Sequence, residues 1–162
     1  MEYFASLEQT FFSIWIRETG WFFFSVLILH SLGMAFAVGI NIAVNLRVLG
    51  VASRAPIHLM RRFMPIHHTA LAAILVSGIL LILAYPAKAL TNIVFYVKIL
   101  ALGSALAITW HFSKSLMTTA GSETNRQSKL LAALALLLWF AGISAGRFLA
   151  YTHSILLASS FY

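Results

Sequence analysis

The sequence predicts an all-α integral membrane protein, an antiparallel four-helix bundle in a single membrane domain over residues 1–162. Hydrophobic residues make up 61% of the chain and charged residues 9%, whereas soluble domains average about 25% charged residues. Four apolar runs are each long enough to cross a hydrocarbon core about 30 Å thick. They lack the two-residue alternation of transmembrane β-strands and are too long for them. The runs are therefore predicted to be helices joined by short loops.

The apolar runs give the bounds of the predicted elements. The four membrane helices are expected at about 20–46, 65–85, 92–113 and 129–152. Apolar residues also recur at helical spacing before the first span, at Phe4, Leu7, Phe11 and Trp15. This pattern predicts a short amphipathic helix over residues 3–16 that lies on the membrane surface. An extension of the first membrane helix is the alternative, and the charged pair Arg17 and Glu18 argues against it.

The distribution of charge predicts the orientation of the bundle. The chain has 11 lysine and arginine residues against 4 acidic residues, an excess that in a soluble protein would suggest nucleic-acid binding. Here the basic residues bracket the apolar runs, so the expected partner is the lipid bilayer and not nucleic acid. They lie in the first loop (Arg47, Arg54, Arg61, Arg62) and the third (Lys114, Arg126, Lys129). These loops are expected in the cytoplasm, which places both termini on the periplasmic side.

Ionisable residues within the predicted spans are the candidate functional residues, because an unpaired ionisable group in hydrocarbon is costly. They are His30, His67, His68, Lys98, His111, Arg147 and His153. His30 shares a helix face with Gly33, Ala37 and Asn41, so it is expected to face the bundle interior. There it either bridges two helices by a hydrogen bond or contacts a cofactor or a quinone. A second haem between His30 and His153 is disfavoured, because the two residues differ in depth by about 15 Å or more.

Two histidine positions near the basic loops are expected at one depth. His67 and His68 follow Pro65 closely, and His111 lies three residues before Lys114. Imidazoles at one depth on neighbouring helices could ligate a haem b iron from both sides, and that chemistry needs no cysteine, of which the chain has none. His67 is expected to face inward because its helix face carries smaller residues than that of His68. Interfacial histidines that touch headgroups are the alternative.

Other polar and small residues extend this interpretation. Arg61 and Arg62 could pair with haem propionates. Lys98 either snorkels to the outer interface or contacts an anionic group, such as a propionate, or a substrate carbonyl. Gly142 and Gly146 form a GxxxG pair, which predicts close packing against another helix.

Short motifs in the first three spans resemble a known group of proteins. They are Leu29-His30 with Gly39 and Arg47, Ser77-Gly78-Ile79-Leu80, and Tyr96-Val97-Lys98 with Trp110-His111. This pattern resembles the bacterial four-helix membrane proteins grouped around the CopD copper-resistance domain and the HemJ-type protoporphyrinogen oxidases. The resemblance implies a small haem-b-binding or metal-linked bundle in the bacterial inner membrane. It also implies that His30, Lys98 and His111 are the functional polar positions.

The favoured interpretation is a haem-b-binding electron-transfer subunit of a membrane oxidoreductase. One haem would be held by His67 or His68 together with His111, and a second would make His30 a ligand as well. The expected partners are a quinone near His30 and Lys98 and a redox partner subunit, with a second copy of the chain as a further candidate.

Two other function classes stay open. In a copper or other metal transport or handling protein of the CopD type, Met60 and Met64 would add soft ligands to the nearby histidines. His30, Lys98 and Arg147 would then line a polar path. In a non-catalytic structural subunit of a larger membrane complex, the histidines would only bridge helices.

Overall fold

The structure is a computed structural model that describes residues 6–51, 60, 62–118 and 125–151, except for the side chains of 112–118 and 150. Its helices are α1 (Phe11–Glu18), α2 (Gly20–Leu49), α3 (Met64–Ala84), α4 (Pro86–Leu90), α5 (Ile93–Thr118) and α6 (Arg126–Tyr151). These residues contain no β-strand. The predicted all-α class is therefore confirmed.

Four of the described helices are long and apolar enough to cross a membrane. The candidate spans are Gly20–Leu49, Met64–Ala84, Ile93–His111 and Arg126–Leu149. Their outward faces carry large apolar side chains that are more than half exposed, such as Phe36, Leu75, Leu100 and Phe140. Lipid solvates such faces, whereas soluble proteins rarely expose them in contiguous patches. The chain is therefore a multi-pass membrane protein.

The helices extend beyond the predicted spans at their polar ends. α2 ends at Leu49 rather than near residue 46, and α5 ends at Thr118 rather than near residue 113. Apolar content locates the hydrocarbon core, but helical hydrogen bonds continue into the interface, where lysine and arginine are good helix formers. α2 stops where Gly50 adopts a φ of 89°, a left-handed conformation that costs glycine little.

α2 is the central helix of the bundle. It packs most extensively on α3 and also on α6 and α5, while α5 packs extensively on α6. The successive membrane helices α3 and α5 share no extended interface within the described part of the chain. The end of the bundle that carries Arg47, Arg62 and Arg126 is named the basic end, and the opposite end is named the α4 end.

Glycines allow close approach of neighbouring helices. A Cβ on Gly33 of α2 would lie 3.0 Å from Cγ1 of Ile74 and 3.1 Å from the carbonyl oxygen of Ala70, both in α3. A Cβ on Gly142 of α6 would overlap the side chain of Leu102 in α5. The close packing predicted from the GxxxG pair is therefore confirmed.

α1 lies against α2 and α3 at the α4 end. It spans Phe11–Glu18, whereas the sequence predicts a helix over 3–16, of which residues 3–5 lie outside the described residues. A break precedes α1 because Thr10 is extended and its hydroxyl donates to the carbonyl of Leu7 over 2.7 Å. Aromatic side chains of α1 are exposed, as an interfacial helix requires: Phe11, Phe12 and Trp15.

Polar contacts tie this N-terminal segment to the connection between α3 and α4. The hydroxyl of Ser13 donates to the carbonyl of Ala84, the last residue of α3, over 3.0 Å. Oε1 of Glu8 accepts hydrogen bonds from the backbone N–H groups of Ala87 and Lys88 at 3.1 and 3.4 Å. A carboxylate in this position satisfies unpaired donors in the first turn of α4.

Candidate ligand-binding sites between the helices

A serine on the neighbouring helix orients the side chain of His30. Nδ1 of His30 lies 2.9 Å from Oγ of Ser77, which is fully buried. The hydroxyl of Ser77 donates its single proton to the carbonyl of Ala73, 2.5 Å away. The serine oxygen can therefore only accept a hydrogen bond from the ring. Neutral His30 thus carries its proton on Nδ1 and its lone pair on Nε2.

The Nε2 edge of His30 points away from α3. A Cβ on Gly78 would lie 3.6 Å from Cε1 and 4.0 Å from Nδ1 of His30, with Nε2 farther away. The carbonyl of Ile74 is a second acceptor near the ring, and it lies 3.3 Å from Oγ of Ser77. Among the described side chains, none makes a hydrogen bond to Nε2. An imidazole held through Nδ1 is oriented to ligate a metal through Nε2.

Lys98 adds a positive charge that acts on His30. Its side chain runs along α6, where a Cβ on Gly146 would lie 3.5 Å from Cε and 3.7 Å from Nζ of Lys98. The ammonium group makes no hydrogen bond or ion pair with any described residue. Within a membrane span, such a charge needs water or an anionic group nearby. Both predicted roles of Lys98, snorkelling and contact with an anionic ligand, are compatible with this placement.

A buried polar network joins three helices near the basic end, and its members are Asn41, Asn45, His67 and Thr109. Nδ2 of Asn41 donates to the carbonyl of Ala37 at 2.6 Å and to Nε2 of His67 at 2.8 Å. Nδ2 of Asn45 donates to Oγ1 of Thr109 at 2.9 Å. Because the amide of Asn41 offers an N–H, Nε2 of His67 must accept. His67 is therefore neutral and carries its proton on Nδ1.

Two atoms of this network are buried without a hydrogen-bond partner in the described structure. They are Nδ1 of His67 and Oδ1 of Asn45, and each unpaired atom costs about 1–3 kcal/mol. His67 also borders a cleft between α2, α3 and α5, lined by Ile40, Asn41, Val44, Met64, His67, Leu106, Thr109 and Trp110. The cleft has room for about one water molecule, so a haem does not fit into it.

The histidine pair predicted to hold haem does not converge on the bundle interior. His67 is buried and His68 is exposed, as the packing argument predicts. His111, which the sequence places in the interior, is exposed on the same face as Leu100. Nε2 of His67 is occupied by the amide of Asn41. The geometry therefore does not favour haem ligation by His67 and His111, and this ligation stays a prediction.

The remaining predicted positions are less informative. Arg62 and Arg147 are exposed, while Arg61 and His153 lie outside the described residues, so the predicted pairing of arginines with propionates stays a prediction. Where the structure describes the chain, no group of three or more His, Asp or Glu side chains is arranged to hold a metal ion.

Comparison with known proteins gives no family for the chain. No family model, curated protein or solved structure matches it. The resemblance to the CopD and HemJ groups stays an expectation based on short motifs.

Three polar residues of these sites are missing from the sequence-based predictions. Asn45 follows Asn41 by one helical turn, so extension of the face of His30 along α2 could have found it. Thr109 lies three turns after Lys98 on α5 and could have been found in the same way. Ser77 appears in a motif, but its bond to His30 depends on the packing of α3 on α2, which no sequence pattern reports.

Proposed function

We propose that this chain is a haem-b-binding electron-transfer subunit of a membrane oxidoreductase, in which His30 would hold the haem iron through Nε2. The observation that carries the proposal is the hydrogen bond between Nδ1 of His30 and Ser77, which leaves the lone pair on Nε2. Histidines that ligate metals in proteins almost always donate their other ring N–H to such a partner. Haem b would supply one-electron exchange between ferric and ferrous iron.

The other residues near His30 support a haem more than a bare metal ion. A porphyrin supplies four ligands itself, so one or two histidines suffice, whereas a copper site needs several protein ligands gathered together. The ammonium of Lys98 can pair with a propionate of the haem, because no described residue neutralises it.

The proposal includes the location and orientation of the protein. The basic end would lie in the cytoplasm of a bacterium and both termini in the periplasm, as the excess of arginine and lysine in the loops favours. His30 and Lys98 would then lie in the periplasmic half of the inner membrane, and the network around His67 in the cytoplasmic half.

The test is a spectrum of the purified chain in mild detergent, after expression with a haem precursor. We expect a reduced-minus-oxidised b-type band and one haem per chain by the pyridine haemochrome assay. His30→Ala should lower the haem content at least tenfold, and added imidazole should restore part of the band. His68→Ala and His111→Ala, which change exposed histidines, are the matched controls and should keep the haem.

Two outcomes contradict the proposal. A colourless wild-type protein would exclude a haem subunit, and metal analysis of the same sample would then test the copper alternative. A protein that loses haem in His111→Ala but keeps it in His30→Ala would place the iron at the pair predicted from the sequence.

A further inference from the structure

The two glycines of the GxxxG pair on α6 contact different parts of α5. A Cβ on Gly142 would overlap the side chain of Leu102 and lie 3.5 Å from its backbone nitrogen. One turn closer to the α4 end on both antiparallel helices, the three heavy atoms that a Cβ on Gly146 would meet first all belong to Lys98. Gly142 therefore serves the packing of α6 on α5, whereas Gly146 makes room for the end of a lysine side chain.

The contact at Gly146 involves the charged end of Lys98. A Cβ there would lie 3.5 Å from Cε, 3.7 Å from Cδ and 3.7 Å from Nζ of the lysine. These are ordinary van der Waals distances, so an alanine fits at residue 146. The longer or branched side chains of leucine and valine need the space that the end of Lys98 occupies. Gly146 therefore provides a surface of α6 on which the end of the lysine lies.

This surface bears on where the positive charge is held. Lys98 is half-buried within a candidate membrane span, and its charge acts on His30 of α2. The long stem of a lysine can also carry its ammonium group to the interface, where water hydrates the charge. A side chain larger than alanine at residue 146 would push the stem away from α6 and favour that second position.

We propose that Gly146 is a positioning residue, because it keeps the ammonium group of Lys98 within the span, where the group can pair with a carboxylate of a bound ligand. A cation that already lies in one place loses less conformational freedom on pairing than a cation on a free stem. That the carboxylate is a haem propionate rests on the proposed function, whereas the placement of Lys98 does not. The sequence predicts the glycine pair only as a helix-packing motif.

The first test measures the position of Lys98 without any cofactor. The full chain in lipid nanodiscs reacts with a water-soluble acylating ester, and peptide mapping by mass spectrometry gives the rate at Lys98 relative to that at Lys129, an exposed lysine. We expect Gly146→Leu to raise this relative rate at least threefold, because the displaced ammonium group reaches water. Ala141→Leu, which enlarges an exposed residue of α6, is the matched control and should react as the wild type does.

The second test measures haem affinity in a double-mutant cycle. Gly146→Leu should lower the affinity about tenfold, because a propionate would lose the cation that is placed for it. The same substitution should have no further effect in a Lys98→Met background, since the charge is already absent. A purely structural role of Gly146 would lower the affinity equally in both backgrounds.

Two results would overturn the inference. They are an unchanged acylation rate of Lys98 in Gly146→Leu, and an equal fall in haem affinity with and without Lys98→Met. A wild-type protein that binds no haem would refute the proposed function, and the acylation rates would still decide the placement of Lys98. Far-ultraviolet circular dichroism detects a variant that fails to fold, and Gly146→Val then replaces Gly146→Leu.

Discussion

Nδ1 of His30 and Oγ of Ser77 lie 2.9 Å apart and join the two helices that form one of the largest interfaces of the bundle. The hydroxyl of Ser77 donates its proton to the carbonyl of Ala73, so it accepts a hydrogen bond from Nδ1 of His30. The contact therefore favours the tautomer of His30 that carries its proton on Nδ1. The bond between His30 and Ser77 therefore joins α2 to α3 and also orients the imidazole toward a ligand. The two roles that the sequence leaves open for His30 are compatible with each other.

Ser77→Ala removes the acceptor for Nδ1 without touching the atom proposed to ligate iron. We expect haem affinity to fall about tenfold, within the range seen when partners of metal-binding histidines are lost. Haem titration of the apoprotein measures the change. Ser104→Ala, which changes an exposed serine on α5, should leave the affinity unchanged. Equal affinity in both variants would show that Ser77 serves helix packing alone.

Lys98→Met removes the partly buried ammonium group and keeps an apolar stem of similar length. We expect haem affinity about tenfold lower, because a propionate would lose its cationic partner, and Lys98→Arg should retain most of it. The control is Lys129→Met, at an exposed lysine of the basic end. If Lys98 only snorkels to the interface, Lys98→Met will bind haem as the wild type does.

Gly33→Ala should destabilise the fold by about 1–3 kcal/mol, because the added Cβ would press on Ile74 and on the backbone of Ala70. The matched control is Gly39→Ala on the same helix, where nothing lies within 4 Å of the added atom. That variant should be neutral or more stable by up to about 1 kcal/mol, since alanine favours helix. Reversible unfolding in detergent compares the two, and a Gly39→Ala variant that is the less stable of the pair would refute the packing argument.

Asn45 and Thr109 should be energetically coupled through their 2.9 Å hydrogen bond. A double-mutant cycle with Asn45→Ala and Thr109→Val should give an interaction free energy of about 0.5–1.5 kcal/mol, the usual net value for such a bond. The same cycle with Ser104→Ala in place of Thr109→Val should give a value near zero. Additive effects of Asn45→Ala and Thr109→Val would mean that the bond adds nothing to stability.

The sequence predicts the membrane helices well because the bilayer imposes one strong requirement. A span must be apolar over about 20 residues and must satisfy its backbone internally, so the four helices follow from hydropathy alone. Small residues along α2, such as Gly33 and Ala37, also identify the face that is buried in the structure. The ends of the helices are less predictable, because helical hydrogen bonds do not stop at the edge of the hydrocarbon.

The site is less predictable because it depends on which helices pack together. Depth along the chain places His67 and His111 at one level, but depth does not give the rotation of a helix about its axis. His111 turns outward with Leu100, and α5 packs mainly on α6 rather than on α3. The partner of His67 is Asn41 on α2, a contact set by the central position of that helix.

The tie between Glu8 and the first turn of α4 joins residues that are about 80 positions apart in the chain. During synthesis, α3 and α4 emerge long after the N-terminal segment. Until then the carboxylate of Glu8 and the hydroxyl of Ser13 lack the partners that α3 and α4 supply, and α1 has its contacts with the start of α2 and the lipid surface. The contacts that join α1 to α3 and α4 can therefore form only after both helices of the α2–α3 hairpin have been synthesised.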